Sequence, residues 1–214
     1  MQTVAVIDYG MGNLRSVVNA LQQAAPNQRI LLTSSSDDIE AAERVVFPGQ
    51  GAARDCMRAI ADHDLHAAIK QAAVEKPFLG ICMGLQVLVD FSEENEGTDC
   101  LSIVAGRVRY FGDSHADGNG AKLKVPHMGW NRVMQSRDHP LWYSIDEGSR
   151  FYFVHSYYVE MGDATLVVGQ CQYGYPFTCA IASRNLFALQ CHPEKSAAAG
   201  LQLLKNFTAW DGRL

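Results

Sequence analysis

The sequence contains no C-x-x-C pair, no run of about 18 apolar residues and no excess of basic over acidic side chains. The first absence argues against zinc-knuckle and thioredoxin-like motifs, and the second against a membrane-spanning helix. The formal net charge of -5 is unfavourable for non-specific binding to nucleic acid, which requires a basic surface. The first residues resemble a strand rather than a basic secretion signal, so we expect a cytoplasmic protein with reduced cysteines.

Apolar runs and helical spacing alternate through the first half of the sequence. Strands are predicted at residues 4–8, 29–32, 44–47 and 77–81. Helices are predicted at residues 14–24, 52–60, 65–74 and 83–91. Strands that alternate with helices are typical of crossover units around a mainly parallel sheet.

The second half has a different pattern, in which Gly and Pro separate short apolar runs. Strands are predicted at residues 104–111, 122–125, 131–134, 150–158, 164–171, 177–183 and 186–190, and a helix at 196–210. Residues 113–120 are predicted to form a polar surface loop. Because no repeat or long linker divides the chain, we expect one α/β domain over residues 1–214. Its central, mainly parallel sheet would be flanked by helices and carry an antiparallel β extension.

Cys82 is the leading candidate for a nucleophile. The predicted strand at 77–81 runs into Gly80-Ile81-Cys82-Met83-Gly84, and a predicted helix follows at once. This strand-turn-helix pattern is typical of a nucleophile elbow, in which small flanking residues permit a sharp, strained turn. A helix N-terminus also favours the thiolate. The alternative is a buried structural cysteine, the usual role of a single cysteine in a core.

His192 and Glu194 are candidates for the base and for the group that orients it. Both follow the predicted strand at 186–190, within His192-Pro193-Glu194. An imidazole can deprotonate a thiol and later protonate ammonia, and a carboxylate can hold that imidazole in one tautomer. The alternative is a loop histidine beside a solvated glutamate. The adjacent Cys191 does not supply the ligand spacing of a metal site.

The turn Pro48-Gly49-Gln50-Gly51 can supply backbone N–H groups at the end of a strand. The N–H groups of Gly49 and Met83 are suited to form an oxyanion hole, where removing one donor typically costs ~10²–10³ in turnover. The alternative is an ordinary strand-to-helix turn, in which Pro-Gly is common.

Together, the patterns P-G-x-G, G-I-C-x-G-x-Q and H-P-E, in this order, resemble the class I (triad) glutamine amidotransferases. The resemblance implies a Cys82-His192-Glu194 triad that releases ammonia from glutamine through a cysteine thioester, without a metal or organic cofactor. Within the family, the stretches at 7–14, 126–131 and 152–158 are similar to the glutaminase subunits of imidazole glycerol phosphate synthases, from histidine biosynthesis. That similarity implies a heterodimer with a (β/α)8-barrel cyclase subunit. The cyclase would use the ammonia to make imidazole glycerol phosphate and aminoimidazole carboxamide ribotide.

The resemblance also implies roles for residues outside the triad. It implies that glutamine is bound by Gly51, Gln86, Glu94, Ser156 and Tyr157. It implies that the cyclase is contacted by His127, Trp130, Tyr152 and His155. The simpler alternatives are polar surface positions for the first set and core packing for the second. Gln50 stands where the family commonly has an apolar residue, which leaves the basal activity of the chain open.

Three other functions stay open from the sequence. Gly10-Met11-Gly12-Asn13 after a first strand is compatible with a dinucleotide-binding loop, although Arg15 stands where a third glycine belongs. Related glutaminases serve other pathways, among them anthranilate, aminodeoxychorismate and pyridoxal phosphate synthesis. A non-catalytic regulatory module is the last alternative, and the intact triad argues against it.

Overall fold

The computed structural model describes residues 1–112, 116–118 and 120–213. The loop predicted at 113–120 therefore lies in part outside the described residues. Within them, helices lie at Leu14–Ala24 (α1), Ser36–Ala41 (α2), Ala53–Asp62 (α3), His66–Glu75 (α4), Met83–Gln86 (α5) and Ala197–Ala209 (α6). Strands lie at Thr3–Ile7 (β1), Arg29–Thr33 (β2), Arg44–Gly49 (β3), Phe78–Cys82 (β4), Phe91–Ser92 (β5), Thr98–Asp99 (β6), Gly106–Tyr110 (β7), His127–Arg132 (β8), Met134–Gln135 (β9), Arg150–His155 (β10), Tyr157–Met161 (β11), Val167–Tyr173 (β12), Tyr175–Ser183 (β13) and Leu186–Leu189 (β14).

A large mixed sheet forms the centre of the fold. Its strands lie in the order β2-β1-β3-β4-β14-β13-β11-β7-β5-β6, and β12 and β9 extend it beside β13. Neighbouring strands are parallel from β2 to β14, whereas β13, β11 and β7 pair antiparallel. The predicted fold class, an α/β domain with a mainly parallel sheet and an antiparallel extension, is confirmed.

The parallel strands are buried because helices cover both faces of the sheet. Val46 of β3 faces one apolar layer, which includes Leu21 of α1 and Phe207 of α6. The next residue, Phe47, faces the other layer, which includes Ile60 of α3. Strands covered on both faces need nearly continuous apolar sequences, and β3 and β4 are buried at every position. The two layers thus hold the ends of these strands in fixed positions.

A separate antiparallel sheet consists of β8 and β10 and contacts α6. Phe151 and Phe153 on its inner face are fully buried. Met128 and Trp130 on its outer face are exposed. Because side chains alternate along a strand, this small sheet joins the core on one side and presents an apolar surface on the other.

The structure differs from the predicted elements in several places. The helix predicted at 83–91 is wrong beyond Gln86, where α5 ends. The carbonyls of Val87, Leu88 and Val89 instead accept hydrogen bonds from the backbone N–H groups of the loop at 101–104. Tertiary hydrogen bonds thus replace the helical ones, a competition that local spacing does not reveal.

The second half contains further differences. The strand predicted at 150–158 divides at Ser156, because β10 pairs with β8 and β11 pairs with β7. Residues 122–125 do not form the predicted strand, and Lys122 makes only an isolated bridge with Ala116. Helix α2 and the two-residue strands β5 and β6 were not predicted; Ser35 caps α2 by accepting a hydrogen bond from the N–H of Asp38. In the described part of the chain, no helix is long and apolar enough to cross a bilayer.

Candidate active site

Three adjacent parallel strands bring the three sequence motifs to one edge of the sheet. Strand β3 ends at Gly49, which pairs with Cys82 at the end of β4. Strand β14 pairs with the other side of β4 and ends at Leu189, three residues before His192. Since the carboxyl ends of parallel strands lie at the same edge, residues more than 100 positions apart in sequence meet there.

Cys82 occupies a strained elbow between β4 and α5. Its backbone has φ 55° and ψ -106°, a left-handed φ that a residue with a Cβ rarely adopts. A Cβ on Gly80 would lie 2.7 Å from the carbonyl oxygen of Gly84 and 2.9 Å from the Cβ of Ala188. A Cβ on Gly84 would overlap the carbonyl oxygen of Phe47. Tight packing therefore requires a glycine on each side of the elbow.

His192 and Glu194 form a buried pair beside the elbow. Nδ1 of His192 lies 2.8 Å from Oε1 of Glu194, and each side chain is 2% exposed. Among the described residues, Nε2 of His192 has no well-aligned hydrogen-bond partner, although its ring interacts with the Cys82 thiol. Catalytic hydrogen bonds are often loose without substrate, so this geometry is compatible with a thiol-imidazole pair that tightens when substrate binds.

The pKa of His192 results from opposing effects. Burial alone would lower it, but hydrogen bonding and charge interactions with Cys82 and Glu194 outweigh burial and raise the pKa to about 10. The imidazolium form is thus favoured at neutral pH. Such a ring holds a proton that it can give to a leaving group.

Glu194→Gln is expected to lower the pKa of His192, because the neutral amide removes a negative charge beside the ring. Since the folded pKa of about 10 exceeds the unfolded value of about 6.5, protonated His192 stabilises the fold fully below pH ~6.5. This contribution is lost as pH rises through about 10. The difference in free energy of unfolding between wild type and variant should therefore shrink over this window. NMR titration of the imidazole measures the pKa, and an unchanged value in the variant would contradict the assignment.

The turn that carries Gly49 is held from behind by two donors that the sequence did not reveal. The hydroxyl of Tyr9 donates to the carbonyl of Pro48 at 3.0 Å, and the thiol of Cys56 donates to the carbonyl of Gln50 at 3.5 Å. Burial raises the pKa of the Cys56 thiol to about 11, which keeps the donor protonated. Fixing a carbonyl fixes its peptide plane, and therefore the direction of the N–H groups of Gly49 and Gly51. The sequence does not predict these roles for Tyr9 and Cys56, because each lies in a pattern typical of ordinary core residues.

A cavity of ≈ 420 Å³ lies in front of Cys82 and His192. Its size is suited to a small polar ligand. Its lining includes every residue predicted to bind glutamine, namely Gly51, Gln86, Glu94, Ser156 and Tyr157, together with Met83. The structure thus brings the predicted nucleophile, base and binding residues to one cavity.

Gln86 uses both of its amide hydrogens inside the protein. Its Nε2 donates to the carbonyl of Tyr157 at 3.1 Å and to Oε1 of Gln190 at 3.0 Å. Gln86 can therefore only accept further hydrogen bonds, through Oε1. The sequence analysis did not identify Gln190 as a site residue. Its Nε2 lies 3.7 Å from Sγ of Cys82. Its position directly after β14 was the one available signal, since a fully buried polar residue must find partners.

Glu94 closes another side of the cavity. Its Oε2 accepts a hydrogen bond of 2.7 Å from the N–H of Ala53 at the start of α3. Burial raises the pKa of this carboxyl group, while the bond from Ala53 acts against that rise. The side chain is therefore anchored, and its carboxyl group borders the space that a ligand would occupy.

The four residues predicted to contact a partner separate into two layers. Trp130 is 45% exposed, and it pairs across the small sheet with the half-buried Tyr152, with 6.2 Å between ring centroids. His127 and His155 are buried on the opposite face of the small sheet, and His155 also lines the cavity in front of Cys82. The aromatic residues thus form a surface, which we call the Trp130–Tyr152 surface. The histidines occupy the interior behind it, and their contact with a partner stays a prediction.

Comparison with known proteins identifies the family. Residues 5–209 match the family described as glutamine amidotransferase class-I. The chain belongs to this family. Membership confirms the resemblance inferred from the three motifs, and with it the predicted enzyme class. In this class-I glutamine amidotransferase, the loop of Gly10 to Asn13 packs on the turn of Pro48 to Gly51: a Cβ on Gly12 would lie 3.6 Å from the backbone nitrogen of Gln50.

Individual relatives are more informative about the subgroup. The chain is 56% identical to imidazole glycerol phosphate synthase subunit HisH of Hydrogenovibrio crunogenus, over 98% of this chain and 97% of the relative. It is 57% identical to the protein of the same name from Thiobacillus denitrificans, over 97% of this chain and 91% of the relative. It is 54% identical to subunit HisH 1 of Pseudomonas aeruginosa, over 100% and 99% of the two chains. These names agree with the subgroup that the stretches at 7–14, 126–131 and 152–158 resemble, and they describe each relative as one subunit of a larger enzyme.

Solved structures are similar in fold. A glutamine amidotransferase crystal structure has a TM-score of 0.70 at 13% identity, covering 96% of this chain and 97% of the other. PurLQS from Thermotoga maritima has a TM-score of 0.68 at 16% identity, covering 97% and 98%. At such low identity the likeness concerns the fold alone.

Proposed function

We propose that this chain is the glutaminase subunit of an imidazole glycerol phosphate synthase and acts in the cytoplasm in histidine biosynthesis. The observation that carries the chemistry is the Cys82 elbow, which opens on a cavity that also contains His192 and is backed by Glu194. The observation that favours this pathway over other glutaminase pathways is the identity of more than 50% with relatives that bear this name.

The proposed reaction begins with the bound side-chain amide of glutamine. The Cys82 thiolate attacks the amide carbon, and the oxygen becomes an oxyanion that accepts hydrogen bonds from the N–H groups of Gly49 and Met83. The carbon–nitrogen bond then breaks, and His192 gives its proton to the departing ammonia. Water attacks the resulting thioester with His192 as the base, which releases glutamate and restores the thiol. Glu194 keeps the imidazole oriented and stabilises its cationic form.

The proposed binding of glutamine follows the polarity of the cavity wall. The anchored carboxyl group of Glu94 faces the space where the α-ammonium group would lie, and Oε1 of Gln86 is suited to accept a hydrogen bond from the substrate. Ser156, Tyr157 and Gly51 line the same cavity, and a Cβ on Gly51 would lie 2.8 Å from Cε of Met11.

The proposed partner is a separate (β/α)8-barrel cyclase subunit, which forms a heterodimer with this chain and receives the ammonia. The Trp130–Tyr152 surface is the proposed docking site. Exposed aromatic side chains are frequent anchors at protein interfaces. Tyr152 of this surface lies on β10, which leads into the cavity wall at Ser156 and Tyr157, so docking there can influence the glutamine site.

Glutamine hydrolysis by the purified chain is expected to be slow, and to rise about 10²-fold with the liganded cyclase subunit from the same organism. Trp130→Ala is expected to weaken binding of the cyclase about 30-fold, as for a typical interface anchor. Tyr143→Ala is the matched control, because Tyr143 is 74% exposed and lies outside the Trp130–Tyr152 surface. Glutamate release and titration calorimetry measure the two effects. High activity of the chain alone, or stimulation only by a synthase subunit of another pathway, would contradict the proposal.

A further inference from the structure

His127 and His155 form a buried pair on the two strands of the small sheet. They are register partners on β8 and β10, and Nδ1 of His127 lies 2.9 Å from Nε2 of His155. Between two facing ring nitrogens one must donate and the other accept. The groups around the pair determine which ring donates.

On the His155 side, the carbonyl group of Tyr157 fixes the direction of the hydrogen bond between the two rings. Nδ1 of His155 lies 2.7 Å from this oxygen, which can only accept. Nδ1 of His155 therefore carries a proton. Burial lowers the pKa of His155 to about 3, so the ring is neutral near pH 7 and its Nε2 has no proton. His127 must then donate from Nδ1.

On the His127 side, Asn131 indicates the same direction for the hydrogen bond between the two rings. Its Oδ1 accepts from the N–H of Arg132 at 2.7 Å, and its Nδ2 donates to the carbonyl of Gln172 at 2.9 Å, which fixes the orientation of the amide. The same Nδ2 lies 3.3 Å from Nε2 of His127. A donor faces this nitrogen, so Nε2 of His127 accepts. The two sides agree, and both rings are Nδ1–H tautomers.

The Tyr157 carbonyl connects the pair to the nucleophile. It also accepts from Nε2 of Gln86 at 3.1 Å, and Gln86 donates to Gln190 at 3.0 Å. Gln190 in turn points its Nε2 at Sγ of Cys82, 3.7 Å away. The carbonyl thus receives hydrogen bonds from two sides, from the histidine pair and from the glutamine that lines the cavity.

We propose that His127 and His155 are positioning residues for glutamine hydrolysis, which hold the Tyr157 carbonyl and, through it, the Gln86 side chain in the substrate cavity. This inference rests on the proposed glutaminase function. Neither ring needs to exchange protons with substrate. Their contribution is a directed set of hydrogen bonds that holds the Tyr157 carbonyl in place, and this acceptor fixes the orientation of the Gln86 amide. Loss of that orientation would present N–H groups where the substrate requires an acceptor.

The tautomers can be measured without any activity assay. In the full-length, ¹⁵N-labelled chain at pH 7, NMR shifts should show protonated Nδ1 and unprotonated Nε2 for both His127 and His155. The exposed His63 and His66 serve as internal references. Asn131→Asp replaces the donor with an acceptor, so Nε2 of His127 should become protonated. An Nε2–H tautomer or a cationic ring at position 155 in the wild type would overturn the proposal.

The positioning role is tested by labelling Cys82 with a diazo-ketone analogue of glutamine, with the liganded cyclase subunit present. His155→Leu removes the donor to Tyr157 and should raise the apparent KI about tenfold, while the maximal labelling rate changes less than about threefold. His155→Asn keeps an N–H group near the position of Nδ1 and should restore KI to within about threefold of wild type. Equal KI values for wild type and the leucine variant, or no rescue by asparagine, would overturn the role.

These outcomes separate the inference from the proposed function. If the analogue does not label Cys82 of the wild-type chain with the liganded cyclase subunit present, both the glutaminase proposal and the positioning role are contradicted, whatever the tautomers. A labelled wild type with the wrong tautomers, or with His155→Leu unaffected, would overturn only the inference.

Discussion

Replacing Cys82 with serine is expected to reduce glutamine hydrolysis by about 10⁴-fold or more, since removing a covalent nucleophile has effects of this size. Serine is nearly isosteric and fits the elbow, so the fold should remain. The hydroxyl, however, is a far weaker nucleophile than a thiolate at neutral pH. Release of glutamate from glutamine, measured with the liganded partner present, gives the rate. Mass spectrometry after treatment with the diazo-ketone analogue shows whether position 82 still forms an adduct.

Cys100→Ser is the matched control for this variant. Cys100 is buried like Cys82, and its thiol donates to the carbonyl of Thr98, a bond that a serine hydroxyl can also make. Burial raises the pKa of Cys100 to about 12, which makes it unreactive at neutral pH. Its replacement should leave hydrolysis unchanged. If Cys82→Ser retained activity within about tenfold of wild type, the covalent mechanism would be wrong.

The main features of the fold and site were predictable because they depend on local patterns and one topological rule. The apolar runs that end at Gly49 and Cys82 predict buried parallel strands, and the glycines around Cys82 predict a sharp turn. Parallel strands place their carboxyl ends at one edge. For the three motifs, the position of the strand before His192 directly beside β4 could not be predicted from the sequence.

The supporting residues were not predictable, because their roles come from tertiary hydrogen bonds. By sequence pattern, Tyr9 and Cys56 resemble ordinary core residues; the structure shows that their side chains donate to the carbonyls of Pro48 and Gln50 in the turn that ends β3. His127 and His155 were associated with the partner surface by resemblance, and only the three-dimensional arrangement reveals them as a buried pair behind it. The helix predicted beyond Gln86 failed for the same reason, since distant N–H groups compete for its carbonyls.

The candidate site consists of two layers: the groups proposed to act on glutamine, and the supporting residues behind them. The proposed nucleophile, base and oxyanion donors lie at or just after the strand ends, where strained backbone such as that of Cys82 is held by packing. Behind them, Tyr9, Cys56 and the histidine pair restrict the peptide planes that line the cavity. A partner bound to the outer face of the small sheet would therefore act on groups whose orientations are already limited, and small displacements can have large effects on reactivity.

Gly84→Ala is expected to destabilise the protein by about 3 kcal/mol or more, because the new Cβ would overlap the carbonyl oxygen of Phe47. Alanine is favoured over glycine within a helix by about 1 kcal/mol, and α5 would gain from the exchange. The overlap should dominate, since Phe47 lies in a fully buried strand and its carbonyl cannot move aside without disturbing the central sheet. For a chain of this size, the loss corresponds to a decrease of roughly 6–12 °C in Tm.

Gly118→Ala is the control, because a Cβ there has no neighbour within 4 Å; it should change stability by less than about 0.5 kcal/mol. A Gly84→Ala variant that unfolds at the wild-type temperature would show that the elbow does not need the close approach of α5 to β3.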